Sequence, residues 1–411
     1  MRIIFLTCAV LLSFVFFAEA QDNGLENPFS LSKLKEDKKC DVLTVFKGEQ
    51  REFFKVKLVE IPIEHPYSRD DQLVLVYMQG DMPVIAGMSG SPVYCDGSIL
   101  GALAFRFGVH PIKEALAGIT PIEAMRGQRK RFDGVQGNPS PNPTILPIPF
   151  NLNPQTNAFA VPAPLWFTNI PPRGFLQNSS NEVGRIAAGD SVTMFIARGD
   201  FMVGGTCTIT EATSEWFSAC GHAMLGEGEK VRMPAYRSSI ATSFQSKAES
   251  YKLAGPLLNP AGTIVYDNIF GVEGIRQMLS GVMIPVRVSI NINGAAHNFE
   301  FEMIRHSTFS PELLESAMRS FLADVWSGAQ GGAGRISGNI FFANQEMPFE
   351  FEFSGPIPPR QLRIDSGATQ AIPDDPWQFF SYIQKQLAST LFGEWDTNID
   401  RVVISLEIND K

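Results

Sequence analysis

Gly87-Met88-Ser89-Gly90-Ser91-Pro92 is followed at once by Val93-Tyr94-Cys95-Asp96-Gly97-Ser98-Ile99-Leu100-Gly101-Ala102. Small residues surround the Ser89 hydroxyl, so the backbone can turn tightly there and other groups can approach it closely. From Val93 to Phe105 two apolar stretches flank Asp96-Gly97, the dipeptide of a tight hairpin turn. A serine on a glycine-flanked turn with a hairpin behind it is placed to act as a nucleophile. The N–H groups of Gly87 and Ser89 are then the simplest oxyanion donors. A plain surface turn reads the same over six residues, so the rest of the chain has to decide.

The chain has 411 residues, enough for two or three domains with cores of their own. Its 35 Gly, 28 Pro and 32 Phe favour a turn-rich, mainly β protein. A net charge of −9 argues against nucleic acid or an anionic membrane surface as partner. Residues 1–20 read as a secretory signal: Arg2, an apolar run from Ile3 to Phe17, and Ala18-Glu19-Ala20 before Gln21. The expectation is an exported protein, secreted or periplasmic, with no stable membrane span once the signal is removed. Cys40, Cys95, Cys207 and Cys220 remain, an even number where disulfides persist.

Short β runs fill 21–127 after a polar arm, making one small, mostly antiparallel β unit that carries the serine. A Pro-rich linker spans 128–182, and β character returns over 183–283. There GGTCTITEATSEWFSACGHAM reads as a hairpin with residues 212–215 at its tip, which sets Cys207 opposite Cys220. A bridge between them is expected; two reduced thiols facing each other is the alternative. Residues 284–411 read ββα-ββα-β, a duplicated α+β domain with Asn293-Gly294 at one hairpin and Ser310 capping a helix that begins at Pro311.

Five histidines are candidates for a base. His65 and His110 precede prolines, His297 sits beside a hairpin turn, and His306 lies between a strand and a helix. Only His222 stands at a strand end between glycine and a small residue, where substrate could reach it. Neither CxxC nor HxxxH spacing occurs, so neither metal nor cofactor is expected.

GMSGSPVYCDGSILGA together with ACGHAM resembles the SpoIVB-type serine peptidases, in the secreted bacterial form where the serine motif precedes the GH motif. DVLTVFKG, GITPIEAM and GTIVYDNIFGVEG extend the resemblance over about residues 40–280. It implies a permuted trypsin-like double β-barrel, with Ser89 as nucleophile and His222 as general base in a serine endopeptidase acting on protein or peptide. Met88 stands where trypsin-like enzymes carry an acid, so their N-terminal activation switch is not expected. Two acids are candidates to orient His222. Asp267 follows it in the same barrel at a trypsin-like separation, and Asp81 precedes the serine motif much as an acid does in the family. A catalytically silent relative that binds peptide or envelope protein is the rival reading, and a purely structural envelope protein a third.

Overall fold

The computed structural model describes residues 25–59, 63–65, 68–80, 83–107, 115–127, 144–145, 149–152, 166–169, 183–228, 231–244, 250–326, 332–357, 385–391 and 393–410. The signal segment and nearly all of the Pro-rich linker lie outside these. Among the described residues no helix is long and apolar enough to cross a membrane.

The first unit comprises β1 (Lys39–Lys47), β2 (Gln50–Leu58), β3 (Ile63–His65), β4 (Ser68–Met78), β5 (Pro92–Cys95), β6 (Ser98–Phe107), β7 (Leu116–Pro121) and the short helix α1 (Ile122–Gly127). Strand pairing runs β2-β1-β5-β6-β7-β4, and β4 returns to β2 through Val56↔Met78 to Leu58↔Val76. Six antiparallel strands therefore close into a barrel. Period-2 alternation sends Val42, Val56, Val74, Val76, Val93, Leu103 and Ile119 inward, each at most 1% exposed. Burying side chains of this size contributes about 1.5–3 kcal/mol apiece. The turn expected at Asp96-Gly97 is present: both residues have positive φ, and Cys95 pairs with Ser98.

Three short strands, β8 (Thr144–Ile145), β9 (Pro149–Leu152) and β10 (Trp166–Asn169), fall in the linker region; β8 joins the first sheet and β9 and β10 the edge of the second. The second sheet continues with β11 (Ser191–Gly199), β12 (Val203–Ala212), β13 (Trp216–Ala219), β14 (Met233–Phe244), β15 (Tyr251–Asn268) and β16 (Gly271–Ile275). Pairing along β12-β13-β16-β15-β14-β11 returns from β11 to β12, a second closed cycle of six antiparallel strands.

C-terminal to it lie β17 (Met283–Ile292), β18 (Ala295–Ile304), α2 (Phe309–Val325), β19 (Gly332–Phe342), β20 (Phe349–Ile357), α3 (Glu394–Thr397) and β21 (Ile399–Asp410). The last strand inserts between the two hairpins, parallel to β17 and antiparallel to β19. Strand β11 also pairs with β18, so one sheet and one core run from the second cycle into this region. The second expected helix, from Asp375, lies largely outside the described residues.

Ser310 does not cap α2. The helix starts at Phe309, and Nδ1 of His306 accepts from the N–H groups of Thr308 and Phe309, the work expected of the serine. Ser310 Oγ instead accepts from His306 N–H and donates to Ile304 O. A histidine three residues upstream can reach the same orphan donors, which a cap rule based on Ser, Thr, Asp and Asn misses.

Two disulfides, Cys40–Cys95 and Cys207–Cys220, tie the two units internally. The first links strands 55 residues apart in sequence. On the chain-entropy account a loop of that length is worth about 4 kcal/mol, so the Cys40→Ala/Cys95→Ala pair is expected to lose roughly that much unfolding free energy. Urea denaturation of the exported protein measures it, and a loss below about 1 kcal/mol would contradict the assignment.

Candidate active site

Ser89 and His222 come from different units and meet where these touch. Ser89 Oγ lies 2.7 Å from His222 Nε2. On the serine side, Gly87 (φ +91) and Gly90 (φ +90) take the left-handed backbone that the tight turn needs. Gly90 is also a close approach: a Cβ there would fall 2.0 Å from Thr208 O and 2.4 Å from Cys220 N. Strand β12 grips this turn from the second unit. Thr208 N–H donates to Ser89 O, and the hydroxyls of Thr208 and Thr210 donate to Gly87 O and Gly90 O.

On the histidine side the chain leaves β13 through two successive left-handed residues, Cys220 (φ +71) and Gly221 (φ +69). That double turn throws His222 towards Ser89. Cys220 is held by its bridge to Cys207, and Gly221 O accepts from the Thr120 hydroxyl of β7 at 2.6 Å. The bridge forms beyond the end of β13 and not between paired strand residues. The hairpin turn runs from Thr213 to Trp216, one residue later than the sequence suggests, and a bulge after Ile209 alters the register.

The tautomer of His222 follows from its partners. Nδ1 lies 2.8 Å from Ala223 O. A carbonyl only accepts, so Nδ1 carries the proton and Nε2 is left as the acceptor for Ser89 O–H. The tilted ring of Phe105 packs beside the imidazole. Neither Gly87 N–H nor Ser89 N–H meets an acceptor among the described residues, which leaves both free for a developing oxyanion. The pair is shielded from solvent: Ser89 is 0% and His222 1% exposed.

Asp267 is not on the imidazole. Its Oδ1 accepts from Met224 N–H, and its Oδ2 accepts from Leu225 and Gly226 N–H at 2.6 and 3.0 Å. It thereby holds the loop that follows His222, and its own backbone pairs with Gly228. A trypsin-like spacing delivered the acid to the right loop, but the main-chain carbonyl of Ala223 occupies the Nδ1 position. Asp81 lies outside the described residues. Among those residues no group of three His, Cys, Asp or Glu side chains gathers as a metal site would require.

Burial raises the Asp267 carboxyl to about 6 against the opposing pull of three N–H donors, with Glu227 adding to the rise. At neutral pH it is ionised and accepts all three. In Asp267→Asn the better amide orientation keeps its oxygen on the Leu225 and Gly226 N–H groups and turns its NH₂ onto Met224 N–H, which leaves one buried donor orphaned at about 1–3 kcal/mol. A loss of about 1–3 kcal/mol is expected by chemical denaturation at pH 7. A change under about 0.5 kcal/mol would show that the cradle contributes nothing.

Lys252 was not singled out from sequence. Strand alternation around Tyr251, Lys252 and Leu253 suggests a lysine on the wet face. Instead Lys252 is fully buried, with Nζ donating to Thr44 Oγ1 at 2.6 Å and lying 3.4 Å from Thr208 Oγ1 and 5.9 Å from the centre of the Phe46 ring. No ion pair links it to a carboxylate among the described residues. Burial alone lowers its amine to about 7. The folded protein then binds fewer protons than the unfolded chain between about pH 7 and the ordinary lysine value near 10.4. The contribution of Lys252 to stability therefore rises with pH across that window and falls away towards pH 7. The melting temperature of wild type relative to Lys252→Met is expected to climb from pH 7 to 10; a flat difference would refute the depressed value.

No protein-family model matches the chain, and no curated protein does. Among solved structures, one described as a dimeric form of streptococcal pyrogenic exotoxin A aligns at 11% identity over 54% of this chain and 88% of that one. Its TM-score of 0.19 carries no argument about the fold.

Proposed function

We propose that this chain is a secreted or periplasmic serine endopeptidase of SpoIVB type, with Ser89 as nucleophile and His222 as general base. The observation that carries the reading is the 2.7 Å contact between Ser89 Oγ and His222 Nε2, with Nδ1–H committed to Ala223 O. Two six-strand cycles, one supplying the serine and the other the histidine, are what a trypsin-like double barrel in swapped chain order would have.

In acylation, Oγ attacks the scissile carbonyl carbon while its proton passes to Nε2. The carbonyl oxygen gains the negative charge and takes the N–H groups of Gly87 and Ser89. Collapse of the tetrahedral intermediate expels the amine, which leaves with the proton from Nε2, and water then repeats the sequence on the ester. A carbonyl at Nδ1 fixes the ring and tautomer as an aspartate would, but stabilises the imidazolium less.

The rival reading, a silent peptide-binding relative, draws on the burial of both residues. Stoichiometric labelling by a fluorophosphonate, lost in Ser89→Ala, separates the two. Ser89→Ala and His222→Ala are each expected to lower kcat/KM for peptide cleavage by a factor on the order of 10⁴ or more while the fold persists. Cleavage at the wild-type rate by Ser89→Ala would end the enzyme reading.

A further inference from the structure

Resting on that reading, we infer that Lys252 is the positioning residue of the oxyanion hole, acting on the Ser89 turn through Thr44, Ser91 and Thr208. In a trans peptide the C=O and N–H point in opposite directions, so fixing one aims the other. The Gly87 N–H belongs to the Ala86–Gly87 peptide, and Ala86 O accepts from the backbone N–H of Lys252 at 2.9 Å. The Ser89 N–H belongs to the Met88–Ser89 peptide, and Met88 O accepts from Ser91 N–H at 2.9 Å. Each of these two oxyanion donors is therefore aimed by the residue that holds the carbonyl behind it.

Those two holders are joined through their side chains. Lys252 Nζ and Ser91 Oγ both donate to Thr44 Oγ1, at 2.6 and 2.9 Å. With two donors on its oxygen, Thr44 has its own proton left for Thr208 Oγ1, 3.4 Å away, and Thr208 donates in turn to Gly87 O. The lysine stem packs directly beneath the turn: a Cβ added at Gly87 would meet Lys252 Cβ and Cδ at 3.2 Å. A buried amine with hydroxyl partners only is costly to the fold. Its position between the two donor peptides gives that cost a use.

Lys252→Met keeps the stem and removes the N–H donors. The expected result is a kcat lower by about 10–100-fold, below the loss of a whole oxyanion donor, with KM within about twofold. Its melting temperature at pH 7 is expected to hold or rise, because an apolar isostere replaces a desolvated amine. Thr44→Val is expected to show the same kcat loss and Thr44→Ser to restore most of it, and Thr44→Val decides the matter if Lys252→Met does not fold. A folded Lys252→Met with wild-type kcat and wild-type fluorophosphonate labelling overturns the positioning role and leaves the peptidase reading standing. So does a kcat loss that tracks a drop in melting temperature with Thr44→Ser no better than Thr44→Val. Wild-type protein that neither labels nor cleaves overturns the peptidase reading, and the positioning role with it.

Discussion

Strand β12 of the second unit holds the serine turn of the first, and the candidate site depends on that grip. Thr208 donates twice, from N–H to Ser89 O and from Oγ1 to Gly87 O, and Thr210 Oγ1 donates to Gly90 O. Each bond is worth only about 1 kcal/mol net, yet leaving any of these buried carbonyls unmet would cost about 1–3 kcal/mol. The contact is specified by what it forbids as much as by what it makes. Gly90 lies so close to Thr208 O and Cys220 N that any side chain would push the units apart. Such a shift would lengthen the 2.7 Å bond between Ser89 and His222, which spans the two units.

The strain in the site is local and met locally. Cys220 in a left-handed conformation costs on the order of 1–3 kcal/mol, whereas the short loop closed by its disulfide is worth about 3 kcal/mol. The two bridges occupy comparable places. Cys40–Cys95 pins the hairpin that leaves the serine turn, and Cys207–Cys220 pins the residue two before His222. Asp267 then takes the three N–H groups after His222, so the histidine sits between a bridge and a carboxylate cradle. Its loop has little freedom to swing the ring away from Ser89.

Local features of this arrangement were legible in the chain. Asp96-Gly97 and Asn293-Gly294 gave the turns, alternation gave the strands, and small residues around Ser89 and His222 marked where side chains could meet. Partnerships between distant strands were not legible. Nothing near Cys40 names Cys95, because β1 and β5 are far apart in sequence and are neighbours only in the folded sheet. Asp267 could be assigned to the histidine's loop by spacing, but not to its backbone donors. Lys252 was the least legible, since its burial inverts the usual preference of lysine for water.

That inversion bears on how so dry a site could do chemistry. On the proposed peptidase reading, passing the Ser89 proton to His222 separates charge, and in a buried site water does little to offset it. The imidazolium has a carbonyl dipole at Nδ1 in place of a carboxylate, so the compensation must come chiefly from the oxyanion side. There the Gly87 and Ser89 N–H groups gain strength from the same low dielectric that penalises the charge, provided they are already aimed and need no reorganisation. Rigidity of the Gly87–Ser91 turn is therefore worth more here than in a triad with a full carboxylate. On that reading, a buried lysine paired only with hydroxyls beneath that turn gives up stability at the point where fixed geometry matters most.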